Sequence, residues 1–433
     1  MRSPPAAAPV AARNRRPPEK ADSGSVFSAF HGVEWSLGYV SLLLWVVVIT
    51  TYALPIGDLV MGGALIGLLF EKRMRVPGFL ACFGAFFVWS LMGLAGTAYP
   101  AVVREEIITL GKIWLIGLVA VNMLSTPKRL RLLLFVFLVC FALYPARGAL
   151  FNYFLAGYAL FGRALWNYIY ANPNDLAALA LLQLSTAVGL YVTERSRLYK
   201  LGAIASSAVL TLLIVLTQSR AGFIGLVSFG VLFLVGHRKK GQAVAGLIVV
   251  AAVAIMFAPS SAWERFAGLR FMGSTETIAQ MDEEGSAEQR FEIWKTAGHI
   301  IADHPLFGVG WGAYPEANAR YAPVNDPSSV NLGARDTHST YLNVLAVTGF
   351  PGLAFFLAMI GMVLLQAQRA RRAIQAVAPE RADQIYYAQL GLIGFLVAGI
   401  FGSYAKLTFL YLQLVIVWAM SELHVRTYLH GAG

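Results

Sequence analysis

Apolar stretches long enough to cross a lipid bilayer recur from one end of this chain to the other, and that recurrence leaves few folds open. They fall near residues 36–53, 57–70, 77–96, 108–124, 131–146, 176–193, 200–217, 222–236, 241–258, 338–366, 385–403 and 406–422. Such lengths match helices crossing a hydrocarbon core about 30 Å thick. Charged residues make up only 13% of the chain, about half their share in ordinary soluble domains. The expected fold class is an all-α polytopic membrane protein with about 12 transmembrane helices. Cys82 and Cys140 both lie in apolar stretches and read as packing residues rather than a disulfide or metal site.

A formal net charge of +11 would suit nucleic-acid binding in a soluble protein. In a membrane protein the placement of the basic residues decides, and no nucleic-acid partner is expected here. One side receives Lys72/Arg73/Arg75, Lys128/Arg129/Arg131, Arg195/Arg197/Lys200, Arg238/Lys239/Lys240, Arg369/Arg371/Arg372/Arg381 and Arg426. With five in the N-terminal tail, that side holds 22 of the 34 basic residues. Cytoplasmic loops carry the excess of Lys and Arg, so both termini are placed inside. Residues 1–20 are rich in Pro, Ala and Arg with no apolar run directly after the charges. They read as a disordered tail rather than a cleavable signal peptide. The expected layout is a cytoplasmic tail over 1–35, helices one to nine over 36–258, a polar lobe over 259–337, helices ten to twelve over 338–423, and a second cytoplasmic tail over 424–433.

The other 12 basic residues fall on the far side or at its membrane edge: Arg104, Lys112, Arg147, Arg163, Arg220, Arg265, Arg270, Arg290, Lys295, Arg320, Arg335 and Lys406. In a diderm bacterium that side is the periplasm. The insertion rule disfavours positive charge there, so each needs another reason. Arg147 directly follows an apolar stretch in Tyr144-Pro145-Ala146-Arg147-Gly148, and Arg220 sits in the turn Thr217-Gln218-Ser219-Arg220-Ala221-Gly222. Snorkelling to headgroup phosphates would explain any one of them. Several at one depth beside a polar lobe point to a shared anion site, because guanidinium groups grip phosphate oxygens bidentately. Lys112 and Lys406 read as snorkelling residues.

Within the lobe, Ser286-Ala-Glu-Gln289 has the capping-box pattern and opens a helix expected to run to Asp303. Arg290 and Trp294, four apart, share one of its faces. The helix should stop at His304, before Pro305. The Gly308-Val-Gly310-Trp311-Gly312 turn looks like a dinucleotide fingerprint but shows neither the strand before nor the helix after that the motif requires. Its glycines read as a close approach of backbone to bilayer or ligand, with the aromatics at the interface. Asp282-Glu283-Glu284 reads as a solvated acidic run, and no metal-ligand spacing is visible. His304 reads as structural and His299 as surface. His338 differs: it opens an apolar stretch beside Arg335 and Asp336, on the side of the far arginines. An imidazole near pH 6.5 can take a proton from a hydroxyl.

These motifs occur in the order found in a known family. Tyr170-Ala-Asn172-Pro-Asn174-Asp175-Leu-Ala177 is followed by Thr217-Gln-Ser219-Arg220-Ala-Gly222, then by Arg290-Phe-Glu-Ile-Trp294 and His304-Pro305-Leu-Phe-Gly308-Val-Gly310-Trp311-Gly312. His338-Ser-Thr-Tyr341-Leu-Asn343 and Gly349-Phe-Pro-Gly352 close the series. Over roughly residues 145–355 the chain resembles the O-antigen ligases and their relatives, the lipid-linked oligosaccharide polymerases and protein O-oligosaccharyltransferases.

The resemblance implies a GT-C-type glycosyltransferase of the bacterial inner membrane with one large periplasmic lobe. The donor would be a glycan on undecaprenyl pyrophosphate and, in a ligase, the acceptor would be lipid A–core. Neither nucleotide sugar nor metal or other cofactor would be needed, because the pyrophosphate leaving group carries the activation. His338 would be the base. Arg220, Arg147 and Arg290 would stabilise the leaving group. Asn174 would hydrogen-bond near the site, though a helix N-cap role suits Asn172, Asn174 and Asp175 equally, and Arg335 would bind substrate or orient its loop. Polymerase and oligosaccharyltransferase remain alternatives on the same motifs. A lipid-glycan transporter is the alternative from another class, and the absence of an internal repeat speaks against it.

Overall fold

The computed structural model describes residues 30–71, 73–237, 240–241, 244, 248, 252, 256, 286–325 and 333–431. The tail over 1–29, most of the stretch 241–258, and the acidic run Asp282–Glu284 lie outside them. The fold is helical, and the described residues contain no strand, only an isolated bridge between Leu160 and Arg163. In chain order the helices are α1 (Leu37–Thr51), α2 (Gly57–Leu69), α3 (Gly78–Met92), α4 (Pro100–Met123), α5 (Pro127–Phe141), α6 (Arg147–Phe151), α7 (Pro173–Thr193) and α8 (Arg197–Leu216). They continue with α9 (Arg220–Gly236), α10 (Ser286–Asp303), α11 (Tyr314–Asn325), α12 (Thr340–Ile374), α13 (Pro379–Ala398) and α14 (Thr408–Val425).

Eleven of the twelve expected apolar stretches coincide with helices, and the remaining one is 241–258. Among the described residues, seven helical segments are long and apolar enough to cross a membrane: Gly78–Ala95, Pro100–Met123, Pro127–Ala156, Pro173–Thr193, Arg197–Leu216, Thr340–Ile374 and Thr408–His430. Shorter apolar helices are Leu37–Thr51, Gly57–Leu69 and Arg220–Gly236. This is a multi-pass membrane protein. The central helices are α7 and α14, each 83% buried over its apolar window, whereas α3 and α8 are only 33% and 39% buried. The two peripheral helices therefore present their apolar side chains outward, as a lipid-facing surface requires.

Three boundaries depart from the sequence reading. First, the stretch expected to end at 146 continues as helix to Ala156, so Arg147 does not follow a span but lies within one. Pro145 cannot supply an N–H to the α-helical ladder, and the chain takes this up by widening into a π turn over Ala142–Ala146 rather than stopping. Second, α4 begins at Pro100, earlier than expected, with proline at the helix start where its missing N–H costs nothing. Third, α13 ends at Ala398, so residues 399–407 form a loop, and that loop holds the site together.

The polar contacts of the bundle fall at two ends. At one, the Asn122 side chain bonds the backbone of Arg75, Arg129 bonds the Glu34 carbonyl, and Arg131 grips Glu194 through two bonds of 2.7 Å. At the other lie the N-termini of α4, α7 and α12, with α10 and α11 over them. The basic clusters and the polar lobe are thus segregated along the bundle axis.

The lobe is attached through a break in α12. Gly349 adopts φ 68°, ψ −175°, and Pro351 follows it. In an uninterrupted helix the carbonyls of Ala346, Val347 and Thr348 would accept from residues 350, 351 and 352. Here Val309 N donates to Ala346 O at 3.0 Å, Gly310 N donates to Val347 O at 3.1 Å, and the Trp89 indole donates to Thr348 O at 3.0 Å. Phe350 N in turn donates to Pro305 O at 2.9 Å. Each group freed by the break is satisfied by the glycine-rich turn or by α3, as buried backbone at membrane depth demands. The turn glycines therefore serve a close backbone-to-backbone contact with α12, where the sequence reading had a close approach to bilayer or ligand. Trp311 is buried against Phe86, with ring centroids 5.4 Å apart, rather than lying at an interface. A helix does follow this turn, but helix α10 precedes it, so the dinucleotide reading still fails.

Candidate active site

His338 lies two residues before α12 in the left-handed region, at φ 48°. A residue with a β-carbon is held there only when its surroundings over-determine it, and both flanks are locked. Thr337 is fully buried, and its hydroxyl donates to Ser339 O at 3.0 Å and meets Ser403 Oγ at 2.9 Å. Thr340 N donates to Gly399 O at 2.8 Å, its hydroxyl donates to Gly402 O at 2.6 Å, and Tyr404 N donates back to that hydroxyl at 2.9 Å. Loop 399–407 is therefore a latch for the His338 loop. Replacing Thr340 by the near-isosteric Val is expected to strand a buried carbonyl and a buried N–H, at about 1–3 kcal/mol. The measurement is a lowered melting temperature in detergent together with reduced activity; an unchanged melt would remove the latch.

Helix α10 approaches from the lobe. The Trp294 indole donates to Thr337 O at 2.9 Å, which turns the face shared by Arg290 and Trp294 toward the loop. Arg290, Arg335 and Asp336 all act on His338. Burial holds the His338 imidazole below its ordinary value, Arg290 and Arg335 lower it further, and Asp336 opposes them. Neutral imidazole is thus the favoured form near pH 7. Asp336 is fixed in turn: its Oδ1 accepts from Thr337 N at 2.7 Å and from the Asn343 amide at 3.0 Å.

A second half of the cluster comes from α7 and the loop before it. Asn172 caps α7, its side chain accepting from Asn174 N at 2.9 Å, which fulfils the N-cap reading. Arg163 donates to Asn174 Oδ1 and to Thr217 O, both at 2.8 Å. It ties the first turn of α7 to the turn that carries Arg220. Ser219 caps α9, and Gly222 lies so close to Ala177 that an added β-carbon would sit 2.5 Å from its methyl group. Arg220, in the first turn of α9, therefore stands over the first turn of α7. The Tyr404 hydroxyl joins the halves by donating to Asn174 O at 3.2 Å. Its phenol is pushed up by burial and by Asp175, while Arg290 and Arg163 oppose that. Asp175 and Asp336 are near enough to interact electrostatically.

Of the residues singled out from sequence, His338, Arg290, Arg335, Asn174 and Arg220 are drawn to one end of the bundle. Arg147 is exposed on α6, with no hydrogen-bond or ion-pair partner among the described residues. Lys112 and Lys406 each meet a carboxylate, Lys112 with Asp58 at 2.6 Å and Lys406 with Glu106. His304 bonds Tyr321 at 3.1 Å, and His299 is exposed, as expected. Sequence reasoning missed Arg163 and Tyr404 as site residues. Arg163 stood among the far-side exceptions but without a motif of its own. Tyr404 follows Gly399 and Gly402, the one hint that an apolar stretch ends early.

The candidate site contains carboxylates at Asp175 and Asp336, but no group of three or more His, Cys, Asp or Glu side chains among the described residues is placed to hold a metal. What the arrangement offers is a neutral imidazole beside fixed cations and a buried phenol. A comparison with curated proteins returns no match. A family model described as O-antigen ligase matches residues 203–357, a stretch that includes Arg220, Arg290, Arg335, Asp336 and His338. Over residues 203–357, then, the chain is similar to the O-antigen ligase family.

Proposed function

We propose that this chain is a membrane glycosyltransferase that moves a glycan from undecaprenyl pyrophosphate to lipid A–core at the periplasmic face of a bacterial inner membrane. On this reading the fold is of GT-C type with twelve crossings, 259–337 is the periplasmic lobe, and both termini are cytoplasmic. The observation that carries it is the strained, half-buried His338, its imidazole lowered by burial among Arg290, Arg335 and Asp336, within the stretch that the family model matches.

An acceptor hydroxyl would give its proton to the imidazole of His338 while its oxygen attacks the anomeric carbon. The bond from that carbon to the pyrophosphate oxygen breaks, the electron pair leaves with undecaprenyl pyrophosphate, and the centre inverts. Arg220 and Arg290 would face the charge that develops on the leaving oxygen. Arg163 would hold the Arg220 turn in place rather than touch substrate. Arg335, exposed at the rim, suits acceptor recognition. Arg147 is the weakest of the original candidates, since it is exposed on α6 and makes no hydrogen bond or ion pair among the described residues.

The acceptor is tested by offering the purified protein the lipid-pyrophosphate glycan with EDTA and without nucleotide. Lipid A–core, further donor and an acceptor protein are supplied in separate reactions. Transfer to lipid A–core alone supports ligation. Extension of the donor, or glycosylation of the protein, would instead make the chain a polymerase or an oligosaccharyltransferase. Movement of donor across a vesicle membrane with no transfer would favour a transporter.

The electrostatics of His338 give a second test. Because the imidazole is held below its ordinary value of about 6.5, the acidic limb of kcat/KM should fall below that pH. Removing a cation that depresses it should raise the limb, and removing the anion that opposes them should lower it. Arg290→Gln is expected to shift the limb upward and Asp336→Asn downward. Limbs that do not move would dissociate the pH profile from His338.

A further inference from the structure

The helical segment Pro127–Ala156 is 30 residues long. At 1.5 Å per residue it measures about 45 Å, against a hydrocarbon core of about 30 Å. Lys128, Arg129 and Arg131 mark its basic end, so the surplus length falls at the other, which leads to Arg163 and Asn174. There the chain passes through a second π turn over Asn152–Ala156 and then a tight turn between Leu160 and Arg163. The surface of this surplus is apolar. Phe151, Phe154, Leu155, Tyr158, Leu160 and Phe161 are all exposed, and between Leu143 and Gly162 the only charged residue is Arg147.

The tip of the turn is an unusual place for a large apolar residue. Leu160 N donates to Arg163 O at 3.1 Å and Arg163 N to Leu160 O at 3.0 Å, which leaves Phe161 and Gly162 as a two-residue turn at φ 49° and 72°. Positive φ at both positions is the type I′ pattern, and its first position favours Asn, Asp or Gly. Phe161 is strained there and is 77% exposed, so its ring gains little packing within the described residues to offset that strain. The base of the turn, by contrast, is fixed. Ala164 N donates to Leu216 O at 2.9 Å, Arg163 Nε to Thr217 O at 2.8 Å and Gln218 Nε2 to Gly162 O at 2.8 Å.

We propose that residues 151–161 lie in the lipid leaflet on the candidate-site side, with Phe161 inserted among acyl chains and Arg147 beside headgroup phosphates. Exposed apolar patches mark membrane or protein contacts. Here three observations name lipid: the patch continues a crossing helix, it carries no acidic residue, and it occupies length that the hydrocarbon core cannot take upright. Tyr158 suits the headgroup level, where aromatic residues with a polar tip collect. Because the base of the turn is bonded to the turn that carries Arg220, this contact would set the depth of the candidate site relative to the leaflet. The lipid contact itself is independent of the transfer reaction proposed above and would stand if that reading failed.

Spin labels read the surroundings of the tip directly. The chain has two cysteines, Cys82 and Cys140, so Cys82→Ala/Cys140→Ala provides the background for Phe161→Cys, Tyr158→Cys and, as the control, His299→Cys, which is exposed on α10. Full-length labelled protein in phospholipid nanodiscs is relaxed by oxygen, which partitions into lipid, or by a water-soluble nickel chelate. The ratio of oxygen to nickel accessibility is expected to be several-fold higher at positions 158 and 161 than at 299. A ratio at 161 equal to that at 299 would put the tip in water and overturn the proposal. Shielding of 161 from both reagents would mean that protein covers it, a second copy or another partner, and would overturn it equally. Wild type supplies a readout free of substitutions. A phospholipid with a diazirine on its acyl chain, photolysed in the same nanodiscs, should leave adducts on residues 151–161 as it does on α8, which is only 39% buried over its apolar window. Adducts on α8 with none on 151–161 would sink the proposal.

Discussion

His338→Ala is expected to abolish glycan transfer while leaving donor binding and the fold intact. A positioned general base contributes about 10²–10⁴-fold, and that is the loss expected in kcat. The substitution is informative because Ala keeps the β-carbon. The left-handed backbone at φ 48° is then no easier or harder to adopt, and the Thr337 and Thr340 contacts around it do not involve the imidazole. A change in melting temperature should therefore be small. Single-turnover transfer, with donor binding measured separately, checks the result. Full activity would take His338 out of the chemistry and leave proton removal to another group, with Asp336 the carboxylate that acts on the same position. Loss of donor binding without a drop in the rate of bound donor would make His338 a binding residue.

The second large effect concerns a residue far from any chemistry. Gly349→Ala is expected to destabilise the protein by about 3 kcal/mol or more, since a backbone region open almost only to glycine costs about 1–3 kcal/mol before any clash. A clash is present as well: the added β-carbon would lie 2.1 Å from Leu306 O, with Pro305 O at 2.5 Å. Relief would require the glycine-rich turn to lift from α12, breaking the bonds from Val309 N, Gly310 N and Phe350 N together. Because α10 and α11 reach the membrane helices through that turn, activity should fall with stability. Gly361→Ala in the same helix is the control. An added β-carbon there meets nothing within 4 Å, so it should be neutral or slightly stabilising through helix propensity. Faster proteolysis of the lobe in Gly349→Ala alone would locate the damage. Indistinguishable melts for the two variants would mean that the break in α12 is dispensable.

Much of the site was legible in one dimension because its parts obey local rules. The capping-box pattern at Ser286 and the proline after His304 marked α10 at both ends, and the spacing of Arg290 and Trp294 put them on one face. The N-cap reading at Asn172 marked the start of α7. His338 was distinguished by its charged neighbours. Arg163 and Tyr404 escaped because each acts through a partner distant in sequence: Arg163 bonds Thr217, and Tyr404 bonds Asn174. No short-range pattern encodes such a pairing. Arg147 shows the opposite error. Its place after an apolar stretch looked like a membrane boundary, yet the helix absorbed Pro145 as a π turn and ran on.

By itself the sequence determined the all-helical, multi-pass class, where the apolar helices lie, and the segregation of basic loops from the polar lobe. Those follow from the transfer of side chains and backbone between water and lipid, which each segment settles largely alone. Only the tertiary structure decided that loop 399–407 latches His338, that the turn glycines meet the broken backbone of α12, and that Arg147 lies within a helical segment rather than after one. The reason is that a carbonyl freed by a helix break can be satisfied by any donor that packing brings near. In this fold the donors came from residues 309, 310 and 89, and nothing within α12 names them.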